Sequence, residues 1–457
     1  MKQERYTVEY HIWTIGCQMN LADSQRVAAG LERLGYRPTA QPERADIVIL
    51  NTCVVRQQAE DKVLARIEQL RPLKERKPDL LLVVMGCLYR ERDLPALQAR
   101  YPWVDLFLPP SDATGLWLAL SERGVFNEAE ALMADAEQRH RGLPAPELVP
   151  TSERGQVVSA YLPIVLGCSH ACTYCVIPYR RGPERSRPLE AILAEAQALV
   201  AQGVREITLL GQIVDRYGYD LPEFQGAAET PLVTLLRRLH ELEGLARLRF
   251  LTSHPNWMRD DLLEAVATLP KVCEHFELPI QAGDDEVLAR MRRGYTVADY
   301  RRLVARIRER LPGASIATDI IVGFPGETAE QFQHTYDLLA ELRLDKAHIA
   351  RYSPRPLTVA TRTYPDDVDP EEKERRRLAL DQLQTRILTE RNAAYLGQTV
   401  EVLVEGYQAK RGRWYGRTRT ERTVFFPAPA AANLLGRLVN TRITWTGPWS
   451  LIGELTE

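Results

Sequence analysis

The sequence predicts an α/β protein in three parts: an N-terminal doubly wound parallel sheet, a central partial (β/α)6 barrel and a small antiparallel β-barrel at the C-terminus. Three observations lead there. Apolar β-like runs alternate with amphipathic helical stretches through the first two parts; polar residues and glycines collect just after those runs; and beyond Gly397 short runs are separated by Gly, Arg and Asn turns. At 457 residues the chain is too long for one hydrophobic core. Its 45% apolar and 26% charged residues fit a globular protein rather than a fibrous or disordered one. A net charge of −2 gives no whole-chain attraction for nucleic acid, so any such surface must be a local patch.

Residues 7–124 form the first part. Its runs 8–15, 46–50, 80–85 and 104–108 alternate with helices such as 21–34, where Val27, Leu31 and Leu34 keep helical spacing and Gly35 supplies the stop. The first three runs lead to Gly16-Cys17, Asn51-Thr52-Cys53 and Gly86-Cys87. All three cysteines then fall on the rim where such sheets bind ligands. Residues 125–153, containing Gly142-Leu143-Pro144-Ala145-Pro146, read as a linker. Over 154–387, six β-like runs end near Leu166, Leu210, Leu251, Pro279, Val322 and Tyr352, with helical stretches such as 188–202 and 297–311 between them. Cys168, Gly211-Gln212, Ser253-His254, Gln281-Ala282-Gly283 and Gly323-Phe324-Pro325 follow these runs, on the face where barrel enzymes keep their chemistry. Asp369-Pro370 starts a helix running to about Tyr395, and the charge run 371–377 reads as its solvated beginning. In 388–457 the strand-like runs are 400–404, 423–426 and 438–444.

No apolar run approaches the roughly 20 residues that cross a bilayer, and the opening MKQERYTVEYHIW is broken by charges. A cytoplasmic location with no membrane partner is expected. Thiols stay reduced there, so seven cysteines point to metal or redox chemistry rather than disulfides. The most specific feature is Cys168-Ser-His-Ala-Cys172-Thr-Tyr-Cys175. Its three thiolates suit three corners of a 4Fe-4S cubane and leave one iron open to a small molecule. The competing reading is a structural zinc loop with His170 as fourth ligand. This C-x3-C-x2-C loop, set after the first barrel strand, resembles the radical S-adenosylmethionine (SAM) superfamily. The resemblance implies that the open iron chelates the amino and carboxylate groups of SAM, and that an electron from the cluster yields methionine and a 5′-deoxyadenosyl radical. It also places Tyr174 near the adenine, and Gly211-Gln212 where the family often has a Gly-Gly-Glu-like turn at the SAM amine.

Cys17, Cys53 and Cys87 are too widely spaced for a local metal loop, and a lone cysteine after a buried strand is usually a small inert hydrophobe. Three at equivalent strand ends can meet above one sheet edge and hold a second 4Fe-4S cluster with its own open iron. Cys273 has no partner in either set and reads as structural. The stretches GCQMNLADS (16–24), NTCVVRQQAEDK (51–62), MGC (85–87), CSHACTYCVIPYRRGPERSRP (168–188), LLGQ (209–212), LPIQAG (278–283), RGYT (293–296) and DIIVGFPGET (319–328) resemble the methylthiotransferases. These are radical SAM enzymes with an N-terminal cluster domain and a C-terminal TRAM domain, so the final β-barrel is expected to be TRAM-like. NTC-x-VR-x2-AE-x-K, PYRRG-x-E-x-SRP and Ser353-Pro354-Arg355-Pro356 are similar to the branch acting on N6-isopentenyladenosine at tRNA position 37. Leu357 stands where that branch usually has glycine, Leu166 where glutamate is common, and Ile213 and Asp215 where it usually has asparagines. The resemblance implies replacement of the adenine C2 hydrogen by a methylthio group, using two SAM and the clusters of both triads. It also implies a tRNA anticodon stem-loop, an electron donor and a sulfur or cluster supply as partners. The alternative substrates within the family are threonylcarbamoyladenosine tRNA and a ribosomal-protein aspartate.

The tail carries Lys410, Arg411, Arg413, Arg417 and Arg419 interleaved with Trp414 and Tyr415, a pattern that neutralises phosphates and stacks unpaired bases. A solvated arginine-rich hairpin is the plain alternative. On the RNA-binding reading, removing the chain from about Leu396 weakens tRNA binding and spares SAM cleavage. The basic run 180–187 either reaches a phosphate or pairs with acidic neighbours. Two rivals stand outside this picture: a non-catalytic RNA-binding module with structural clusters, and a one-cluster radical SAM enzyme with an unrelated N-terminal domain.

Overall fold

The computed structural model describes residues 8–55, 57–123 and 148–456, so most of the expected linker 125–153 lies outside the described residues. The chain packs into two units. One comprises Met1–Gly155, Tyr161–Ser169 and Val176–Gln202; the other comprises Gln156–Ala160, His170–Cys175 and Gly203–Glu457.

In the first unit, strands β1 (Glu9–Thr14), β2 (Arg37–Pro38), β3 (Ile47–Thr52), β4 (Leu81–Gly86) and β5 (Leu106–Leu108) form a parallel sheet ordered β2-β1-β3-β4-β5. Strands covered on both faces read as continuous apolar runs, as Ile47-Val48-Ile49-Leu50 and Leu81-Leu82-Val83-Val84 do. Their side chains alternate between faces. Ile47, Ile49, Leu81 and Val83 pack with Val27 and Leu31 of helix α1 (Gln18–Arg33), while Val48, Leu50, Leu82 and Val84 pack with Val63, Ile67 and Leu70 of α2 (Gln57–Arg76). Each such fully buried side chain contributes about 1.5–3 kcal/mol, which fixes the strand register. The sheet is doubly wound, as expected. Helix α1 starts earlier than the expected 21–34 because Cys17, in extended backbone, takes the N-cap position. Strand β2 escapes sequence reading because Arg37-Pro38 is too short and exposed to leave an apolar run.

Strands β6 (Ser159–Pro163), β7 (Val165–Leu166) and β8 (Arg185–Ser186) follow. In the second unit β9 (Glu206–Leu210), β10 (Arg247–Leu251), β11 (His275–Glu277), β12 (Ser315–Val322) and β13 (Lys346–Arg351) run parallel where they pair. They form two three-stranded sheets, β10-β9-β6 and β11-β12-β13, bridged at Leu248 and Val272. Six strands with intervening helices match the expected partial barrel. The helix Pro370–Ala393 begins as predicted, with the Asp369 carboxylate accepting the Glu371 amide at 2.7 Å. Its charge run is not simply solvated. Lys373 and Arg376 are buried, and Arg376 donates to the Glu327 carboxylate at 2.7 Å, so one face of the run packs onto the barrel.

The tail is a closed five-stranded barrel, β14 (Thr399–Gln408), β15 (Arg413–Arg417), β16 (Thr423–Pro427), β17 (Leu438–Thr446) and β18 (Leu451–Leu455), ordered β14-β15-β16-β18-β17. Val402, Val404, Trp414, Phe426 and Ile443 fill it. Its turn 418–422 is held against the amino ends of β9 to β11. The fully buried Arg249 donates to the Thr418 and Arg419 carbonyls, both at 2.7 Å, and pairs with the buried Glu206 at 2.9 Å. Arg247 donates to the Arg417 carbonyl at 2.6 Å, and Arg422 pairs with Asp345. Removing the tail therefore leaves buried arginines and carboxylates without partners. Breaking one member of a buried pair costs about 3–5 kcal/mol. Arg249→Ala is expected to lower stability by that amount in denaturant titration, and a chain ending at Leu396 to melt well below the full chain when followed by circular dichroism.

Candidate active site

Parallel pairing aligns Thr14 with Asn51, Asn51 with Met85 and Thr52 with Gly86, so β1, β3 and β4 end at one level. Cys17, Cys53 and Cys87 follow directly. The turns need glycine: with φ +138 and +99, Gly16 and Gly86 sit where an added Cβ would lie 2.8 Å from the Cys53 Cβ and 2.6 Å from the Thr52 carbonyl oxygen. Asparagines and a threonine pin the rim. Asn20 donates to Asn51 Oδ1 (2.9 Å) and the Thr52 carbonyl (2.8 Å), Asn51 donates back to the Asn20 carbonyl (2.8 Å), and the Thr52 hydroxyl donates to the Met85 carbonyl (2.7 Å). The Cys17 thiol points at Asn20 Oδ1 at 3.4 Å. Burial pushes the Cys53 thiol up to about 11, and Cys87 and Cys17 add to the rise, so the three sulfurs share one electrostatic site.

Of the basic run 180–187, Arg180, Arg181 and Arg187 turn inward. Arg180 donates to the Leu88 carbonyl at 3.0 Å, Arg187 pairs with the buried Glu195 at 2.5 Å, and Arg181 donates to Ser111 Oγ at 3.3 Å and Asn20 Oδ1 at 3.2 Å. Three of its cations are thus taken up by their own unit rather than by phosphate. Arg181 also lines a cavity of about 230 Å³ with Asp23, Arg26, Ser111 and Leu166. Three thiolates after three neighbouring strand ends, with no nitrogen or oxygen donor among them, would suit three corners of a 4Fe-4S cluster with one iron left for another ligand.

In the second loop, Cys168 is buried and its amide donates to the Gly182 carbonyl at 3.1 Å. The Cys175 amide donates to the Cys172 carbonyl at 3.2 Å, closing a turn, and the Thr173 hydroxyl anchors it to the Arg290 carbonyl at 2.8 Å. Arg293, from the RGYT stretch, places Nη1 3.2 Å from Cys172 Sγ and donates to the Pro279 carbonyl at 3.0 Å. Burial opposes ionisation of Cys172, but a hydrogen bond with His170 and the Arg293 charge outweigh it and hold the thiol down at about 7. A thiol lowered toward neutral pH beside a fixed cation suits a cluster ligand. The His170 ring stands edge-on to His254 at 4.6 Å, and burial keeps His254 neutral, its pKa pulled down to about 2. Tyr174 meets Phe324 edge-on at 6.5 Å, and Gly211-Gln212 ends β9.

Reading the sequence missed Asn20, Arg181, His254 and Arg293. Their only signal was membership of the quoted stretches or, for His254, a place after a strand. Asp215, a departure from the expected asparagine, is buried and accepts the His254 amide at 3.1 Å through both oxygens. Thr252 (φ 68) and Gln281 (φ 76), at the ends of neighbouring strands, are held in left-handed backbone, which costs of order 1–3 kcal/mol each and is concentrated at functional rims. Leu357 has φ 77, the conformation glycine would take without strain, where the resembling branch carries glycine.

The expected RNA residues separate into two groups. Arg417 pairs with Glu206, Glu405 and Glu421, Arg419 pairs with Glu274, and Trp414 is buried with its Nε1 donating to the Pro429 carbonyl at 3.2 Å. Those three are engaged by groups of the protein itself. Lys410 and Arg411 are exposed at the β14–β15 turn, and Arg413 lies over the Phe425 ring beside Tyr415.

Comparison with known proteins matches residues 162–339 to the Radical SAM superfamily, 9–109 to an uncharacterized protein family, UPF0004, and 393–456 to the TRAM domain. A protein of Roseiflexus sp. (strain RS-1) named tRNA-2-methylthio-N(6)-dimethylallyladenosine synthase is 46% identical over 98% of this chain and 90% of its own length. Its counterpart of the same name from Chloroflexus aurantiacus is 47% identical over 97% and 91%. Among solved structures, the radical S-adenosylmethionine methyltransferase TsrM from Kitasatospora setae, with cobalamin and a 4Fe-4S cluster bound, shares the fold. It has a TM-score of 0.53 and 16% identity, with 78% of this chain and 77% of that one covered.

One carboxylate makes a pH dependence accessible. Burial, reinforced by Asp319, raises Glu277 from 4.5 to about 7. A carboxyl whose folded pKa is raised favours the fold while protonated, and that contribution is lost as pH rises from 4.5 through about 7. Glu277→Gln cannot lose it. The variant is expected to gain stability relative to the parent across that window, read as diverging urea midpoints.

Proposed function

Because the chain belongs to the tRNA-2-methylthio-N(6)-dimethylallyladenosine synthase family of radical SAM enzymes, we propose that its two triads hold two 4Fe-4S clusters with separate tasks. The enzyme is a tRNA methylthiotransferase. It replaces the C2 hydrogen of N6-isopentenyladenosine at position 37 with a methylthio group. The observation that carries the division is the in-register convergence of Cys17, Cys53 and Cys87 on one rim, in a chain that also has the Cys168, Cys172 and Cys175 loop.

When bound, the groups supply what no side chain can: one-electron reduction of SAM at one triad and the sulfur for transfer at the other. An unactivated aromatic C–H bond offers nothing to a general base, so the protein's own residues bind and orient. Arg293 and His170 keep Cys172 ready to ligate. Tyr174, backed by the buried Phe324, would lie near the adenine of SAM, and Gly211-Gln212 would hold its amine. Asp215 fixes the 253–254 turn on the same strand-end face. Lys410, Arg411, Arg413 and Tyr415 meet the anticodon stem-loop, with phosphates taken by the cations and an unpaired base by the ring. The functional modules are 7–124, 154–387 and 388–457, with 125–153 linking the first two. An electron donor and a sulfur or cluster supply complete the reaction in the cytoplasm; no helix among the described residues is long and apolar enough to cross a membrane.

Nucleoside mass analysis of tRNA from cells with and without the protein tests the reaction. The deletion strain is expected to lack 2-methylthio-isopentenyladenosine while keeping isopentenyladenosine; an unchanged methylthio nucleoside rejects it. Cys53→Ala is expected to abolish methylthiolation while SAM cleavage at the other triad persists. Replacing both Lys410 and Arg411 with Ala is expected to flatten the log–log salt dependence of tRNA binding by about 0.7 for each phosphate left without its cation.

A further inference from the structure

The turns that follow β9 and β10 carry a stack of rings and charge that neither cysteine triad uses. The Arg216 guanidinium lies over the Trp257 ring at 4.3 Å, and the Tyr219 ring stands 5.3 Å from that of Trp257 at a tilt of 59°. Tyr219 is 37% exposed. Local hydrogen bonds hold the stack in place. The Val214 amide donates to the Thr252 carbonyl at 3.0 Å, which ties one turn to the other, and the Trp257 amide donates to the His254 carbonyl at 2.9 Å. Asn256 donates through Nδ2 to the Gly294 carbonyl at 3.0 Å. Gly294 adjoins Arg293, whose Nη1 is 3.2 Å from Cys172 Sγ. The stack is thereby fixed on the strand-end face beside the cluster loop. Arg292, in left-handed backbone at φ 56, is exposed two residues before Gly294.

An adenine whose C2 reacts on this face has to leave the anticodon loop, and its departure unstacks the nucleotides on either side of it. Every base has a π-face, and aromatic rings backed by a cation accept one without reading its sequence. We propose that Tyr219 and Trp257, backed by Arg216, form the stacking seat for the nucleotide adjoining adenosine 37, and that Arg292 meets a phosphate of the same unpaired segment. This goes beyond the tail contacts and rests on the reading that the tRNA adenosine reacts at the Cys168, Cys172 and Cys175 face. The seat replaces the stacking that the adenine leaves behind, so it holds the loop in its opened form.

The test measures binding of anticodon stem-loop RNAs to the reconstituted full chain with SAM present, by fluorescence anisotropy over a range of salt concentrations. One RNA carries isopentenyladenosine at position 37; two others carry in addition an abasic site at the position before it or after it. Tyr219→Leu and Trp257→Leu are expected to bind the intact RNA about tenfold more weakly with an unchanged salt slope, and Tyr219→Phe to bind it as the parent does. One of the abasic RNAs is expected to bind the parent about tenfold more weakly and to lose nothing further in Tyr219→Leu. Arg292→Ala is expected to flatten the log–log salt dependence by about 0.7. Tyr219→Leu binding all three RNAs as the parent does overturns the proposal. So does an equal loss on all three, which would give Tyr219 a part in the fold rather than on a base. Tyr219 is exposed, so its variants decide the matter even if Trp257→Leu does not fold. A parent that binds no stem-loop rejects the tRNA reading, and this inference with it.

Discussion

Everything chemical in the first unit depends on the parallel register of β1, β3 and β4. Pairing Asn51 with Met85 and Thr52 with Gly86 leaves Cys53 and Cys87 side by side, and Thr14 against Asn51 brings the Cys17 turn to the same edge. A slip by one residue would turn the apolar side chains of a strand to the wrong face. The two apolar layers on the sheet therefore hold the sulfurs in place as firmly as any contact near them. The Asn20, Asn51 and Thr52 bonds then fix what the register allows, tying helix α1 to two strand ends.

Buried arginine is the recurring device in both units. At the amino ends of β9 to β11, Arg247 and Arg249 receive the carbonyls of the tail's turn, while Arg417 and Arg419 reach back to Glu206 and Glu274. Beside the cysteines, Arg293 meets Cys172, and Arg181 donates to Asn20 at the strand-end rim. The first group locks the tail to the barrel through desolvated pairs. The second places fixed charge beside cysteines. Local counts of Arg and Lys overstate the surface open to RNA, because a planar cation with several donors is also suited to capping backbone carbonyls and carboxylates in the interior.

Departures from the family pattern acquire physical meaning in the fold. Leu357 occupies left-handed backbone at a cost that glycine avoids, within the turn that ends at Thr358. Asp215 in place of asparagine puts a carboxylate under the His254 amide, which asparagine would serve with one oxygen only. Both changes lie on loops, where local chemistry varies while the strands stay constant.

The sequence by itself determined the cysteine loop, the three strand-end cysteines, the three-part α/β architecture and the start of the long helix at Asp369. Local pattern suffices for these: apolar runs, turn glycines and an N-cap proline act over a few residues. It could not separate Lys410 and Arg411, which are exposed, from Arg417 and Arg419, which are consumed in ion pairs more than a hundred residues away in sequence. Nor could it decide between phosphate and protein as partner for Arg180, Arg181 and Arg187, or show that Arg293 would stand beside Cys172. Those are questions of burial and distance between remote segments. A charge is solvated or desolvated only once the chain has closed around it, and that tertiary step decided which cations stay exposed and which are taken up inside the protein.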